Sequence, residues 1–118
     1  MKKTEIIKKN YEFKYFFKRG KYFSGKYIEI FIHYNKLKNN RLGIIVSKKV
    51  GNSVVRHHLT RLIRESYRLN SNMFNSGLDI VVVVRTTARD ENYHTIESAL
   101  MHLGKIQNIL IKKDEIRN

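Results

Sequence analysis

Apolar side chains recur along this chain with two distinct periods, and the change from one period to the other marks out its elements. From Tyr27 to Tyr34, Ile28, Ile30 and Ile32 alternate with Tyr27, Glu29, Phe31 and His33, the pattern of a half-buried strand. Asn35 to Asn40 reads as a hairpin turn, Arg41 to Ser47 as the second strand, and Lys21 to Phe23 as a short strand upstream. Leu78 to Val84 is apolar at every position but Asp79 and reads as a buried strand, entered from the turn-rich segment Asn70 to Gly77.

The other period is helical. Asn10 can cap a first helix, ended by Gly20, in which Phe13, Phe16 and Phe17 share a face. A longer helix starts near Asn52 or Ser53 and runs to about Leu69. Val55, Leu59, Leu62, Ile63 and Ser66 gather on one arc of it, His57, Thr60, Arg61 and Arg64 roughly opposite, and Arg56 and Arg68 at the seam. A last helix, capped by Asn92, carries Ile96, Leu100, Leu103, Ile106 and Leu110 at helical spacing, with a polar face of mixed sign that suits solvent.

Charge sharpens the picture. The 118 residues hold 24 Lys and Arg against 10 Asp and Glu, a net of +14. Eighteen basic and four acidic side chains fall in residues 1–70, whereas residues 71–118 hold six of each. So uneven a distribution predicts a basic face toward a polyanion, nucleic acid before all, with binding driven by counterion release. The length accommodates one domain with a modest core. Without cysteine there are no disulfides or thiolate metal sites. The Lys-rich start carries no apolar run of a signal peptide or membrane span, so the cytoplasm is the expected compartment.

Three segments in order then carry a family likeness: Phe13, Phe17, Lys18 and Gly20; Ser47-Lys48-Lys49-Val50-Gly51; and Val54, Arg56, Arg61, Arg64 and Glu65 on the long helix. At these spacings the chain resembles the protein subunit of bacterial ribonuclease P, which matures the 5′ end of transfer RNA. It departs from that pattern at Ser53, His57, His58 and Thr60, where the family has alanine, asparagine, arginine and lysine. At 57 and 58 an imidazole, mostly neutral at pH 7, stands in place of the Asn-Arg pair.

The resemblance implies one α+β domain over residues 1–118. Its parts would be a central mixed sheet of about four strands, three helices, and an uncommon left-handed βαβ crossover through the Arg-rich helix, where a right-handed one is the rule. It implies a catalytic RNA subunit that holds the Mg²⁺ ions, with no catalytic group and no metal site on this chain. Lys48, Lys49, Gly51, Asn52, Arg56, His57, His58, Thr60, Arg61, Arg64 and Arg68 would contact that RNA. Phe13, Lys14, Phe17, Lys18, Lys21 and Phe31 would line a cleft for the 5′ leader of precursor tRNA, where stacking on aromatic faces tolerates any base. Phe16 is left to the core. Gly51 is expected to turn the backbone sharply, through a positive φ.

Other chemistries fit less well. His57 and His58 are adjacent on a helix and point about 100° apart, and His94 and His102 lie two turns apart, so neither pair suits one zinc ion. Glu65, at i+4 from Arg61 and i−3 from Arg68, reads as an ion-pair partner rather than a base. Asp90-Glu91 is a helix-start pair favoured by the dipole. A generic RNA-binding or ribosome-associated protein would share the charge but would not require the Gly51 turn leading into Arg56, Arg61 and Arg64. A helix-turn-helix DNA-binding protein would need a helix, not a strand, just before the basic helix.

Overall fold

A strand without a polar face has to be covered on both sides, and the sheet is built to do this. The computed structural model describes residues 4–6, 21–106 and 109–110. Its strands are β1 (Thr4–Ile6), β2 (Lys21–Ser24), β3 (Ile28–Tyr34), β4 (Asn40–Ile45) and β5 (Leu78–Val84), in the spatial order β1-β4-β5-β3-β2. β5 is central, antiparallel to β3 and parallel to β4; β2 closes one edge antiparallel to β3, and β1 the other parallel to β4. The fold is a small α+β domain with a mixed sheet, as expected. The fifth strand, β1, was not expected, because three residues are too few to show a period.

The segment Asn35–Asn40 is not a hairpin turn. β3 and β4 run antiparallel, but β5 lies between them and pairs with both. The connection therefore passes over the start of β5, where the Asn35 N–H donates to Gly77 O at 3.0 Å. The Asn35 side chain accepts from Leu37 N at 2.7 Å and donates to Asn39 O at 3.1 Å and Asp79 Oδ1 at 2.8 Å. Gly77 is at φ +77°, and a Cβ there would come within 3.0 Å of Leu37 O, so both conformation and space favour glycine.

Two polar groups are buried to hold this crossing. Asn40 Nδ2 donates to Tyr67 Oη at 2.9 Å and Asn75 O at 2.8 Å, and its Oδ1 accepts from Leu78 N at 2.9 Å. On the other face of the sheet, Asp79 receives Arg41 through two bonds, Nε to Oδ1 at 2.8 Å and Nη2 to Oδ2 at 2.6 Å. Arg41 and Asp79 are register partners, which makes this fork a cross-strand clamp between β4 and β5.

Because β4 and β5 are parallel, the chain must return along the sheet between them, and helix α1 (Ser53–Leu69) is that crossover. Asn52 caps it, accepting from Val55 N at 3.0 Å. Helix α2 (Tyr93–Ile106) is capped by Asn92, which accepts from Thr95 N at 2.9 Å. Leu59, Ile63 and Tyr67 of α1 and Ile96, Leu100 and Leu103 of α2 pack on Ile28, Ile30, Ile32, Leu42, Ile80 and Val82, with Phe74 completing the core. Ile106 and Leu110 do not continue the α2 stripe: the helix stops at Ile106, which is 51 % exposed, and Ile109 takes the buried place instead. The Ile109 N–H bonds to Gly104 O, and its carbonyl accepts from Asn75 N at 2.7 Å. Two α-helices thus lie among the described residues; the third, expected from Asn10 to Gly20 with Phe13, Phe16 and Phe17, falls outside them.

Replacing Asn40 with alanine would leave Leu78 N without its acceptor and Tyr67 and Asn75 without their donor, inside the core. Asn40→Ala is expected to lower unfolding free energy by roughly 1–3 kcal/mol, measured by urea denaturation at unchanged m-value.

Candidate RNA interface

The crossover helix presents its basic side chains because the sheet claims the opposite side. At about 100° per residue, His57, Arg61, Arg64 and Arg68 fall within a narrow stripe, roughly 16 Å long, facing away from Leu59, Ile63 and Ser66. All four are exposed, as is His58 beside them. A groove of about 490 Å³ is lined by Ser53, Val54, His57, His58 and Arg61. A second, of about 330 Å³, is lined by His58, Arg61, Leu62, Arg64, Glu65 and Tyr93. Val54, 75 % exposed at the first groove, is an apolar spot in this basic field.

Arg56 and Thr60 stand on the flank of the helix. Arg56 is half-buried, with its Nε shut off from solvent and without a hydrogen-bond partner among the described residues, and the Thr60 hydroxyl donates to Arg56 O at 2.9 Å. Arg68 is forked onto Glu65, Nη2 to Oε1 at 2.5 Å and Nε to Oε2 at 3.1 Å, the pairing expected from their spacing. The hydrogen bond from Arg68, helped by the charges of Arg68 and Arg61, holds the Glu65 carboxyl below its usual range. Arg61 and Arg64 make no ion pair among the described residues. They are therefore the arginines whose forks are open to a phosphate.

The turn before α1 adds lysines to the same end. Val50 is buried and its N–H bonds to Ser47 O at 3.1 Å, so Ser47, Lys48 and Lys49 are held out in solvent. Gly51 does not take the positive φ expected of it, since Gly77 is the glycine that does so among the described residues. Its constraint is proximity: a Cβ at Gly51 would lie 2.8 Å from Val55 Cγ1 and 2.9 Å from Val55 Cβ. The chain enters the helix so tightly that no side chain fits. The first turn of α1 has no acidic residue to oppose the positive end of its dipole.

A second surface lies on the reverse of the sheet. Phe31 points away from both helices and packs with Val81, Val83 and Ile45. Its cross-strand partner is Tyr22, 49 % exposed, with ring centroids 4.8 Å apart. Lys21 registers with Ile32 and so roots on the other face from Phe31. The sequence reading missed Tyr22, although the alternation of β2 against β3 could have found it. Phe13, Lys14, Phe17 and Lys18, the other expected cleft residues, lie outside the described residues.

Between the helices sits a polar cluster not foreseen from sequence. Tyr93 Oη donates to Glu97 Oε2 at 2.7 Å, and Asn70, at the end of α1, donates to Glu97 at 2.9 Å and to Ser66 O at 2.8 Å. The bond to Glu97 pushes the Tyr93 phenol up to about 12, and the two donors hold Glu97 below the carboxylate range. The cluster locks the angle at which α1 presents its stripe.

An α+β domain with an open arginine stripe on one side and paired aromatic rings on the other is an RNA-binding protein by its chemistry. The family model described as Ribonuclease P matches residues 1–107. The chain is 52 % identical over 115 residues to the ribonuclease P protein component of Lachnoclostridium phytofermentans, covering 98 % of this chain and 99 % of that one. It is 46 % identical over 104 residues to that of Clostridium botulinum, with 87 % and 94 % covered. The solved RNase P protein of Staphylococcus aureus superposes with a TM-score of 0.85 at 34 % identity, over 92 % of this chain and 100 % of the other. That of Thermotoga maritima gives 0.78 at 31 %, over 84 % and 94 %. The chain belongs to the ribonuclease P protein family, and its role is that of the protein subunit in tRNA 5′ processing.

Gly51→Ala should force the Ser47–Asn52 turn off Val55 and destabilise the fold by roughly 1–3 kcal/mol, read from chemical denaturation. For Tyr93, the difference in alkaline absorbance titration between the parent and Tyr93→Phe should show a phenol ionising near pH 12. Glu97→Gln should bring that value down. Since folding raises this pKa, the bond's contribution to stability is complete below the ordinary tyrosine range near 10 and is lost as pH climbs toward 12.

Proposed function

We propose that the outward side of α1, with Lys48, Lys49, Gly51 and Asn52 at its start, docks on the catalytic RNA subunit, and that the Phe31 face of the sheet receives the 5′ leader of precursor tRNA. His57, His58, Arg61, Arg64 and Arg68 meet RNA phosphates, while Arg56 and Thr60 shape the flank of the helix. Phe31 and Tyr22 supply aromatic faces for unpaired bases, Lys21 adds charge at the sheet edge, and Phe13, Lys14, Phe17 and Lys18 complete the cleft. The observation that carries the reading is that Arg61 and Arg64 are exposed, aligned and, among the described residues, without a carboxylate partner on one side, while the aromatic pair lies on the other. One protein can thereby hold two RNAs at once.

The RNA subunit holds the Mg²⁺ ions in this reading, and the reaction takes place in the cytoplasm. Two-metal hydrolysis needs clustered carboxylates. The one buried carboxylate among the described residues, Asp79, is already occupied by Arg41 and Asn35. The protein's part is to add positive charge where two polyanions approach, which lowers the need for free magnesium. The test is cleavage of precursor tRNA by the RNA subunit at low magnesium, with and without this protein; no stimulation would overturn the proposal.

Arg61→Ala and Arg64→Ala are each expected to weaken binding to the RNA subunit, to reduce the slope of log affinity against log salt by roughly 0.7–0.9, and to leave the melting temperature unchanged. On the sheet, Tyr22→Ala should reduce affinity for precursor tRNA by about 1–3 kcal/mol relative to leaderless tRNA, in titrations of the reconstituted holoenzyme. Tyr22 is the better probe than Phe31, whose ring also packs on Val81.

A further inference from the structure

Two histidines sit in the arginine field of α1, and their chemistry differs from that of their neighbours. His57 lies on the stripe one turn before Arg61, and His58 opens into both grooves. An arginine is charged at any physiological pH, whereas an imidazole gains or loses its proton between about pH 5 and 8. Whether it carries charge is decided by what stands opposite. Among the described residues the groove that His57 lines also holds His58 and Arg61. Around His58 are Arg61, Arg64 and Glu65 from its own helix, with the Tyr93 phenol from α2; Glu65 is already forked onto Arg68. That surrounding is predominantly cationic. A row of phosphates laid along the stripe reverses the field, because it neutralises the arginines and offers acceptors to both ring nitrogens of a protonated imidazole.

We infer that docking of this protein on its RNA is coupled to proton uptake at His57 and His58, so that affinity for the RNA subunit depends on pH. The inference rests on the reading of α1 as the docking face. The sign follows from linkage: a proton bound more tightly in the complex than in the free protein strengthens binding at low pH, and this gain is lost as pH rises through the histidine range. At constant salt, affinity should therefore fall from about pH 5.5 to 8, by up to about tenfold per pH unit for each histidine that takes up a full proton.

The experiment is a titration of the RNA subunit alone with the full chain, at fixed ionic strength across that pH range. It compares the parent with His57→Asn/His58→Asn, His57→Arg/His58→Arg and Arg61→Ala. Since all carry the same RNA, any titration of the RNA itself cancels. The parent should lose affinity with rising pH; the double asparagine variant should be flat and weaker than the parent at low pH; the double arginine variant should be flat and tight. A flat parent profile, or a slope that survives in the double asparagine variant, would overturn proton uptake. If Arg61→Ala binds as the parent does, the docking face itself is misassigned and the inference falls with it. If Arg61→Ala is weakened while the parent is flat, proton uptake alone fails.

Discussion

The sheet depends on burying β5 on both faces and along both edges. Ile80 and Val82 face the helices, and Val81 and Val83 face the other way, so no orientation of this strand exposes a polar side. A central place between β3 and β4 is the solution, and it has consequences through the chain. β3 and β4, neighbours in sequence, are parted by it, and the five residues between them must cross its end. That crossing requires Gly77 in a left-handed conformation and an asparagine at 35 that bonds in three directions. The parallel pairing of β4 with β5 demands a crossover, and the crossover is the arginine helix. The element that carries the arginine stripe is therefore the connection that the apolar strand imposes on the fold.

The two surfaces assigned to RNA are separated by the sheet and its helical layer, and their chemistry matches their places. A helix packed through one side can devote the other to charge, because exposed arginines lose little solvation there; Arg41 is instead held on the buried carboxylate of Asp79 as a clamp. The sheet face turned away from α1 and α2 offers apolar ground, where the rings of Phe31 and Tyr22 meet tilted at 42°. Charge steers and holds a backbone, while stacking holds bases without asking which they are. The division suits a protein subunit in transfer-RNA 5′ processing.

Small groups at the ends of α1 set how accurately it is presented. At its start Gly51 lets the backbone come against Val55, and Asn52 closes the first turn. At its end Asn70 ties the last turn to Glu97 and, through it, to Tyr93. These contacts leave Arg61 and Arg64 untouched and decide only the angle of the helix that bears them.

Most of the local structure was legible in the sequence. The period of Ile28, Ile30 and Ile32, the apolar run from Leu78 to Val84, and the asparagines before α1 and α2 placed the starts of those elements to within a residue or two, because backbone geometry alone dictates such spacing. The arginines of α1 were visible for the same reason: a helix with one apolar arc has one outer face. The pairing of the strands was decided elsewhere. A turn at 35–40 looks the same whether the next strand pairs with β3 or is parted from it, and the difference lies in β5, almost forty residues on. Gly51 could be recognised as necessary, but whether for its φ or for its missing Cβ depended on where Val55 came to rest. The family resemblance put Lys21 and Phe31 in one cleft, and register set them on opposite faces. Contacts between residues distant in the chain are fixed by the competition of whole surfaces for burial, and only the folded structure resolves that competition.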